Sequence, residues 1–245
     1  MDNIQNFKKQ DLFFPVFLRI YNEPCLVVGG GEVALRKIKT LIPYKPKLTV
    51  VSPSVHEKIA NYSKKEKLIW IKREFILEDL EGKILVIAAT NNVTLNQFIS
   101  KEAQERNILC NVVDQPNLCS FIIPSIYKKG RLTIAVSTGG TSPALAKKIK
   151  EELNQYYGDG YELALDILHC LRMILPQVEK DQPKRSLLYS KLVRSNFIDL
   201  CKAQDFQKIE EKIFEICGLR EFLARFYSEI SNRRPIKNQM DKTTD

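Results

Sequence analysis

Three consecutive glycines, Gly29, Gly30 and Gly31, lie between the apolar run Leu26-Val27-Val28 and a helical pattern that opens with Glu32, Val33 and Ala34. The six residues from Gly29 read G-x-G-x-x-A. The first glycine of that pattern permits a tight turn, the second lets backbone approach a phosphate, and Ala34 lets the helix pack close to the strand. A phosphate placed there meets the unpaired N–H groups of a helix N-terminus. A glycine triplet by itself also fits a plain structural turn, but its place between a buried strand and a helix favours a dinucleotide. The expected pyrophosphate contacts are Gly29, Gly30, Gly31, Glu32 and Val33. A Rossmann domain usually ends its second strand with Asp or Glu for the ribose hydroxyls, whereas Thr49-Val50-Val51 runs into Ser52-Pro53. Ser52 is then the ribose candidate. NAD is the expected cofactor, with NADP left open.

Two further places carry chemistry. Asp114 ends the apolar run that contains Val112 and Val113, at the carboxyl edge where α/β sheets bind ligands; from spacing alone it equally caps a turn before Gln115-Pro116. Gly139-Gly140-Thr141-Ser142-Pro143 sets flexible backbone, two hydroxyls and an N1 proline at a helix start. That describes an anion site or an ordinary capped helix. His56 and His169 are the only histidines, and neither stands beside other ligands at zinc spacing, so no metal site is expected. Lys147, Lys148 and Lys150 read as a solvated helix face.

The elements that must position these residues follow from periodicity. Short apolar runs at 24–28, 48–51, 68–71, 83–89 and 108–113 alternate with helical patterns at 32–41, 55–62 and 93–106. The uninterrupted run 83–89 suits a strand buried on both faces of a parallel sheet. After Ser120 the pattern changes to a hairpin, 121–127 and 132–136, turning at 128–131. Helices are expected at 142–156, 161–175, 184–203 and 205–229, separated by Gly158, Pro176 and Pro183. The fold class is α/β: a Rossmann-type domain (1–115), a small α+β dimerisation segment (116–148), a helical domain (149–230) and a disordered tail (231–245).

Composition is compatible with this. Hydrophobic residues make up 44% and charged residues 27% of the 245, the balance of an ordinary globular protein. The net charge of +9 favours anionic ligands without choosing among them. The six cysteines contain no C-x-x-C pair and read as reduced thiols. No signal-peptide pattern and no apolar run near the ~20 residues of a membrane span is present, so a cytoplasmic protein without membrane contact is expected.

Several segments together resemble a known family, the precorrin-2 dehydrogenases and sirohydrochlorin ferrochelatases of siroheme synthesis. They are Phe14-Pro15-Val16-Phe17, the stretch from Val27 through Ala34 with Arg36 and Lys37, Ala88-Ala89-Thr90-Asn91, Asn111-Val112-Val113-Asp114, Ser120-Phe121-Ile122-Ile123-Pro124-Ser125, and Ser137 to Pro143. The resemblance spans roughly residues 11–170. It implies that Asp114 is the catalytic residue, a general base for dehydrogenation of precorrin-2 to sirohydrochlorin. It adds Pro53, Ala89, Thr90 and Asn91 to the cofactor contacts, and names Asn111, Ser120, Thr138, Gly139, Gly140, Thr141 and Ser142 as substrate contacts. It implies a homodimer, and in some members insertion of iron or cobalt as a second activity. The competing reading is a non-catalytic dinucleotide sensor, such as the regulatory domain of a basic nucleic-acid-binding protein. No recognition helix or aromatic stacking motif supports it, and no nucleic-acid partner is expected.

Overall fold

The computed structural model describes residues 13–222, together with 224 and 226. The tail expected at 231–245 and the end of the last expected helix lie outside these. The chain forms two compact units, divided between Ile123 and Pro124.

The first unit is built on five parallel strands, β1 (Pro24–Val28), β2 (Lys47–Val51), β3 (Ile69–Ile71), β4 (Leu85–Ala88) and β5 (Leu109–Val112), in the order β3-β2-β1-β4-β5. The crossover helices are α1 (Glu32–Leu41), α2 (Glu57–Lys64) and α3 (Val93–Glu105). Strand side chains alternate between two cores. Cys25 and Val27 join Ala34, Leu35 and Ile38 of α1 and Ile59 of α2 on one face. Leu26 and Val28 join Ile99 and Ala103 of α3 on the other. Covering both faces is why β1 and β4 are apolar at every position instead of alternating. Parallel pairing puts every strand's carboxyl end on one edge, and the strand order reverses at β1. Residues 13–18, apolar in sequence, form no strand and are exposed, Phe14 at 84%.

The second unit begins with an antiparallel hairpin, β6 (Ser125–Lys129) and β7 (Leu132–Val136), separate from the main sheet. The expected first hairpin strand starts too early, because the carbonyl of Phe121 is taken by the Asn111 amide and Pro124 has no N–H to donate. Helices α4 (Pro143–Tyr156), α5 (Asp159–Val178), α6 (Gln182–Arg194), α7 (Phe197–Ala203) and α8 (Phe206–Cys217) follow. Ala164, Ile167, Leu171, Ile174 and Leu175 form the stripe of α5 at the centre of this core.

Two expected helix boundaries move. Pro176 sits inside the last turn of α5, where its missing N–H removes a single backbone bond. Pro183 is at the start of α6, a position that tolerates proline. The expected helix 184–203 breaks at Ser195 instead. Its hydroxyl donates to the Leu192 carbonyl at 2.7 Å and accepts from the Phe197 amide at 3.2 Å, closing one helix and opening the next. The expected helix 205–229 breaks at Gly218, left-handed at φ 68°, whose amide donates to the Phe214 carbonyl at 2.9 Å, and helical residues resume at Phe222.

Candidate functional site

A cleft of about 650 Å³ opens at the carboxyl edge of the first unit's sheet, with the glycine turn as its floor. The three glycines do different things. Gly29 has φ +115°, and a Cβ on it would lie 2.2 Å from the Ala89 carbonyl oxygen. On Gly30 it would lie 2.1 Å from the Ser54 carbonyl oxygen and 2.8 Å from Val55 Cα. On Gly31 it would meet nothing within 4 Å. The turn is pinned from both sides: the Gly29 amide donates to Val51 at 3.0 Å, and the His56 amide donates to the Gly30 carbonyl at 2.7 Å. Gly31 is the N-cap of α1 and supplies no side-chain acceptor. The first-turn N–H groups therefore face an open space, which is what a pyrophosphate requires. These residues fit a dinucleotide, and the middle glycine, which the G-x-G-x-x-A pattern leaves free, is as constrained as the first.

Glu32, Ser52, Pro53, Ala89, Thr90 and Asn91 also line the cleft, whereas Val33 does not. Thr90 is fixed by Asn96, 3% exposed on α3. The Thr90 hydroxyl donates to Asn96 Oδ1 at 2.7 Å, and Asn96 Nδ2 returns a bond to the Thr90 carbonyl at 3.0 Å. Sequence reasoning passed over Asn96, although an amide on the inward stripe between Leu95 and Ile99 was the available signal. Ser52, the ribose candidate, stands on the cleft wall. Its hydroxyl donates to the Ser54 carbonyl at 2.6 Å, so it can meet a ligand only as an acceptor. His56 enters the cleft unexpectedly. Its Nδ1 accepts from the Lys58 amide at 3.0 Å and caps α2, which leaves the Nε2 proton to donate to Glu32 Oε1 at 2.9 Å. Glu74 and Phe75, from the loop after β3, complete the wall below Ser54 and were likewise not anticipated.

Asp114 stands two residues beyond β5, exposed and left-handed at φ 59°, a conformation that Asp tolerates better than most residues. It does not line the cleft; β4 lies between β5 and the glycine-bearing β1 on the shared carboxyl edge. Lys37 on α1 is its electrostatic neighbour. Burial pulls the Lys37 ammonium below its ordinary pKa, with Arg36 adding to the pull, while Cys119 and Asp114 oppose it. Burial raises the Cys119 thiol, against the Val112 amide and Lys37. The Cys119 sulfur accepts from the Val112 amide at 3.2 Å.

Asn111 and Ser120 hold backbone in this structure. Asn111, 6% exposed, donates from Nδ2 to the Phe121 carbonyl at 3.1 Å, and its buried Oδ1 has no partner among the described residues. Ser120 Oγ accepts from the Cys110 amide at 2.8 Å. In the second unit, Thr138 Oγ1 accepts from the Ser142 amide at 3.1 Å, and Ser142 Oγ caps α4 through the Leu145 amide at 3.2 Å. Gly139 and Gly140, at φ 59° and 81°, and Thr141 are exposed at the crest of this turn.

Among the described residues no three His, Cys, Asp or Glu side chains are grouped to hold a metal ion, and no helix is long and apolar enough to cross a membrane.

Comparison with known proteins agrees with this geometry. A family model described as "Putative NAD(P)-binding" matches residues 16–125, and one described as "Sirohaem biosynthesis protein central" matches residues 129–156. A siroheme synthase of Vesicomyosocius okutanii subsp. Calyptogena okutanii is 41% identical over 156 residues, covering 62% of this chain and 34% of the relative. A siroheme synthase of Nitrosomonas europaea is 34% identical over 204 residues, covering 83% of this chain and 43% of the relative. The chain thus spans about a third to two fifths of the length of these curated relatives. The solved structure of SirC, precorrin-2 dehydrogenase, superposes with a TM-score of 0.68 at 27% identity, covering 81% of this chain and all of that one.

Proposed function

We propose that this chain is a member of the precorrin-2 dehydrogenase family of siroheme synthesis and that it oxidises precorrin-2 to sirohydrochlorin with NAD as hydride acceptor. The observation that carries the proposal is the pairing, on one sheet edge, of a formed pyrophosphate turn with the Asp114 carboxylate, which makes no hydrogen bond or ion pair among the described residues. The dinucleotide, when bound, supplies the two-electron sink: a macrocycle C–H hydrogen leaves to it as hydride. The chain's own residues do the rest. The turn of Gly29, Gly30 and Gly31 seats the pyrophosphate against the open first-turn amides of α1, and Asn96 keeps Thr90 against the cleft. Asp114 takes a proton that the macrocycle releases as its electrons depart, and exposure keeps its carboxylate accessible. Lys37 places positive charge beside it. Gly139, Gly140 and Thr141 are proposed substrate contacts on the family resemblance alone.

The test is turnover of precorrin-2 by the full chain with NAD⁺, followed through sirohydrochlorin absorbance. Asp114→Asn should lower kcat by about 10²–10⁴-fold and leave NAD⁺ binding intact. Unchanged turnover would remove Asp114 from the reaction. A wild-type chain that oxidises no tetrapyrrole but binds DNA with steep salt dependence would return the regulatory reading. Insertion of Fe²⁺ or Co²⁺ into the product, a second proposed activity drawn from the family resemblance, is read by a metal-insertion assay on sirohydrochlorin. The proposed homodimer is read by sedimentation.

A further inference from the structure

We propose that Glu74, on the loop after β3, supplies the ribose-recognising carboxylate that the end of β2 lacks, and thereby makes the site prefer NAD over NADP. The inference rests on the dinucleotide reading of the cleft and adds to it the group that selects the cofactor.

At the end of β2, where the usual acid would stand, there is no carboxylate to orient a diol. The Ser52 hydroxyl gives its proton to Ser54 and keeps only a neutral acceptor, and Pro53 has no N–H. A carboxylate on that wall comes from the loop after the neighbouring strand. β3 pairs with β2 in parallel, so the loop leaving β3 emerges at the same edge, and Glu74 and Phe75 line the cleft with Ser52, Pro53 and Ser54. The Glu74 carboxylate makes no hydrogen bond or ion pair among the described residues, so both of its oxygens remain free to accept from the 2′- and 3′-hydroxyls of a ribose.

The loop that carries it is fixed. Arg73 grips Asp79 through two parallel bonds of 2.8 and 2.6 Å and donates to the Glu74 carbonyl at 2.9 Å. The Ile76 amide donates to Asp79 Oδ2 at 3.0 Å, and the Arg73 amide to the Ile71 carbonyl at 3.0 Å. Three of the five Arg73 N–H donors are therefore engaged before any ligand arrives, and Asp79 already offsets its charge. Among the described residues no Lys or Arg lines the cleft; its carboxylates are Glu32, paired with His56, and Glu74. A 2′-phosphate in this position would bring dianionic charge against Glu74, with the neighbouring Arg73 charge offset by Asp79. A diol would gain two charge-assisted acceptors.

The experiment is equilibrium titration calorimetry of the full chain with NAD⁺ and with NADP⁺, for wild type, Glu74→Gln, Glu74→Ala and Glu32→Gln, each checked for a native thermal transition. Wild type should bind NAD⁺ more tightly than NADP⁺. Both Glu74 variants should weaken NAD⁺ about tenfold, tighten NADP⁺, and collapse the preference; Glu32→Gln should leave the preference standing. If folded Glu74 variants keep the wild-type preference, or if Glu32→Gln abolishes it instead, the inference is wrong while the dinucleotide reading survives. Equal wild-type affinity for the two cofactors has the same consequence. If wild type binds neither cofactor, the dinucleotide reading fails and takes the inference with it.

Discussion

Gly30→Ala and Gly31→Ala differ by one position in sequence and should fail in opposite ways. At Gly30 the new methyl would sit 2.1 Å from the Ser54 carbonyl oxygen and 2.8 Å from Val55 Cα, both backbone atoms of the connection from β2 to α2. That connection is tied back to the turn through the His56 amide, so it cannot retreat without giving up a 2.7 Å bond. Overpacking against unyielding structure costs about 1–3 kcal/mol, and the upper end applies where the obstacle is backbone. For a unit of this size about 3 kcal/mol corresponds to a fall in Tm on the order of 10 °C. At Gly31 the methyl meets nothing within 4 Å, and the backbone, at φ −79° and ψ −170°, is extended and open to alanine. Losing a glycine N-cap costs a few tenths to about 1 kcal/mol, and the reduced freedom of the unfolded chain returns about 0.4–1 kcal/mol. The two nearly cancel. The methyl instead occupies the space in front of the first-turn amides, so NAD⁺ affinity should fall by one to two orders of magnitude, about 1.4 kcal/mol for each factor of ten. Differential scanning calorimetry and NAD⁺ titration of the two variants separate the cases. A Gly31→Ala protein that melts as low as Gly30→Ala, or that binds NAD⁺ like wild type, would refute the assignment of these roles.

Two further outcomes follow from charge and burial. Burial would raise Asp79, but the Arg73 bonds, the Ile76 amide and Lys83 outweigh it and hold the carboxyl below its ordinary value. A depressed folded pKa stabilises the fold at pH values above the unfolded value of about 3.9, and that stabilisation is lost as pH falls through the folded one. Asp79→Asn should therefore lower Tm at pH 7, and its difference from wild type should shrink as the pH drops below about 4; a pH-independent difference would show that the pair acts through shape alone. Burial pushes the thiols of Cys25 and Cys217 up to about 11 and those of Cys110 and Cys201 to about 12. All four should resist iodoacetamide at pH 8 in the native protein and react once guanidinium unfolds it, as read by mass spectrometry; labelling of any of them at the rate of a free thiol would contradict this burial.

The sheet was legible because its strands are short, mostly apolar and punctuated by glycine, proline or serine, the pattern of a doubly covered parallel sheet. The helix boundaries beyond Gly158 were less so. Proline was read as a terminator at 176 and 183, yet a proline in a last or first turn removes little hydrogen bonding, while Ser195, unremarkable in sequence, ends α6 through its own side chain. The cleft shows the same division. Gly29, Gly31, Thr90 and Asn91 announce themselves through local motif, but Glu74 lies in a charged stretch, Lys72-Arg73-Glu74, that reads as solvated surface. Only the parallel pairing of β3 with β2, a relation between residues about twenty apart, carries it to the site.

Hydrogen-bond accounting sorts the motif residues further than motif matching does. A hydroxyl has one proton, and a buried one spends it. Ser52 gives its proton to Ser54, while Ser120, Thr138 and Ser142 accept backbone amides that would otherwise go unpaired, and the Asn111 amide anchors Phe121. Their side chains shape the turns that present other groups. The carboxylates of Asp114 and Glu74 accept no hydrogen bond among the described residues, and the Gly31 cap leaves the first turn of α1 open. Unspent capacity at an exposed edge costs the fold little, since water satisfies it, and leaves a ligand something to gain by displacing that water. The groups that touch cofactor and substrate should therefore be sought among those with capacity left over: Asp114 for the proton, Glu74 for the ribose, and the backbone of Gly31 for the pyrophosphate. Substituting the spent residues should act first on stability, and substituting the unspent ones first on binding or turnover.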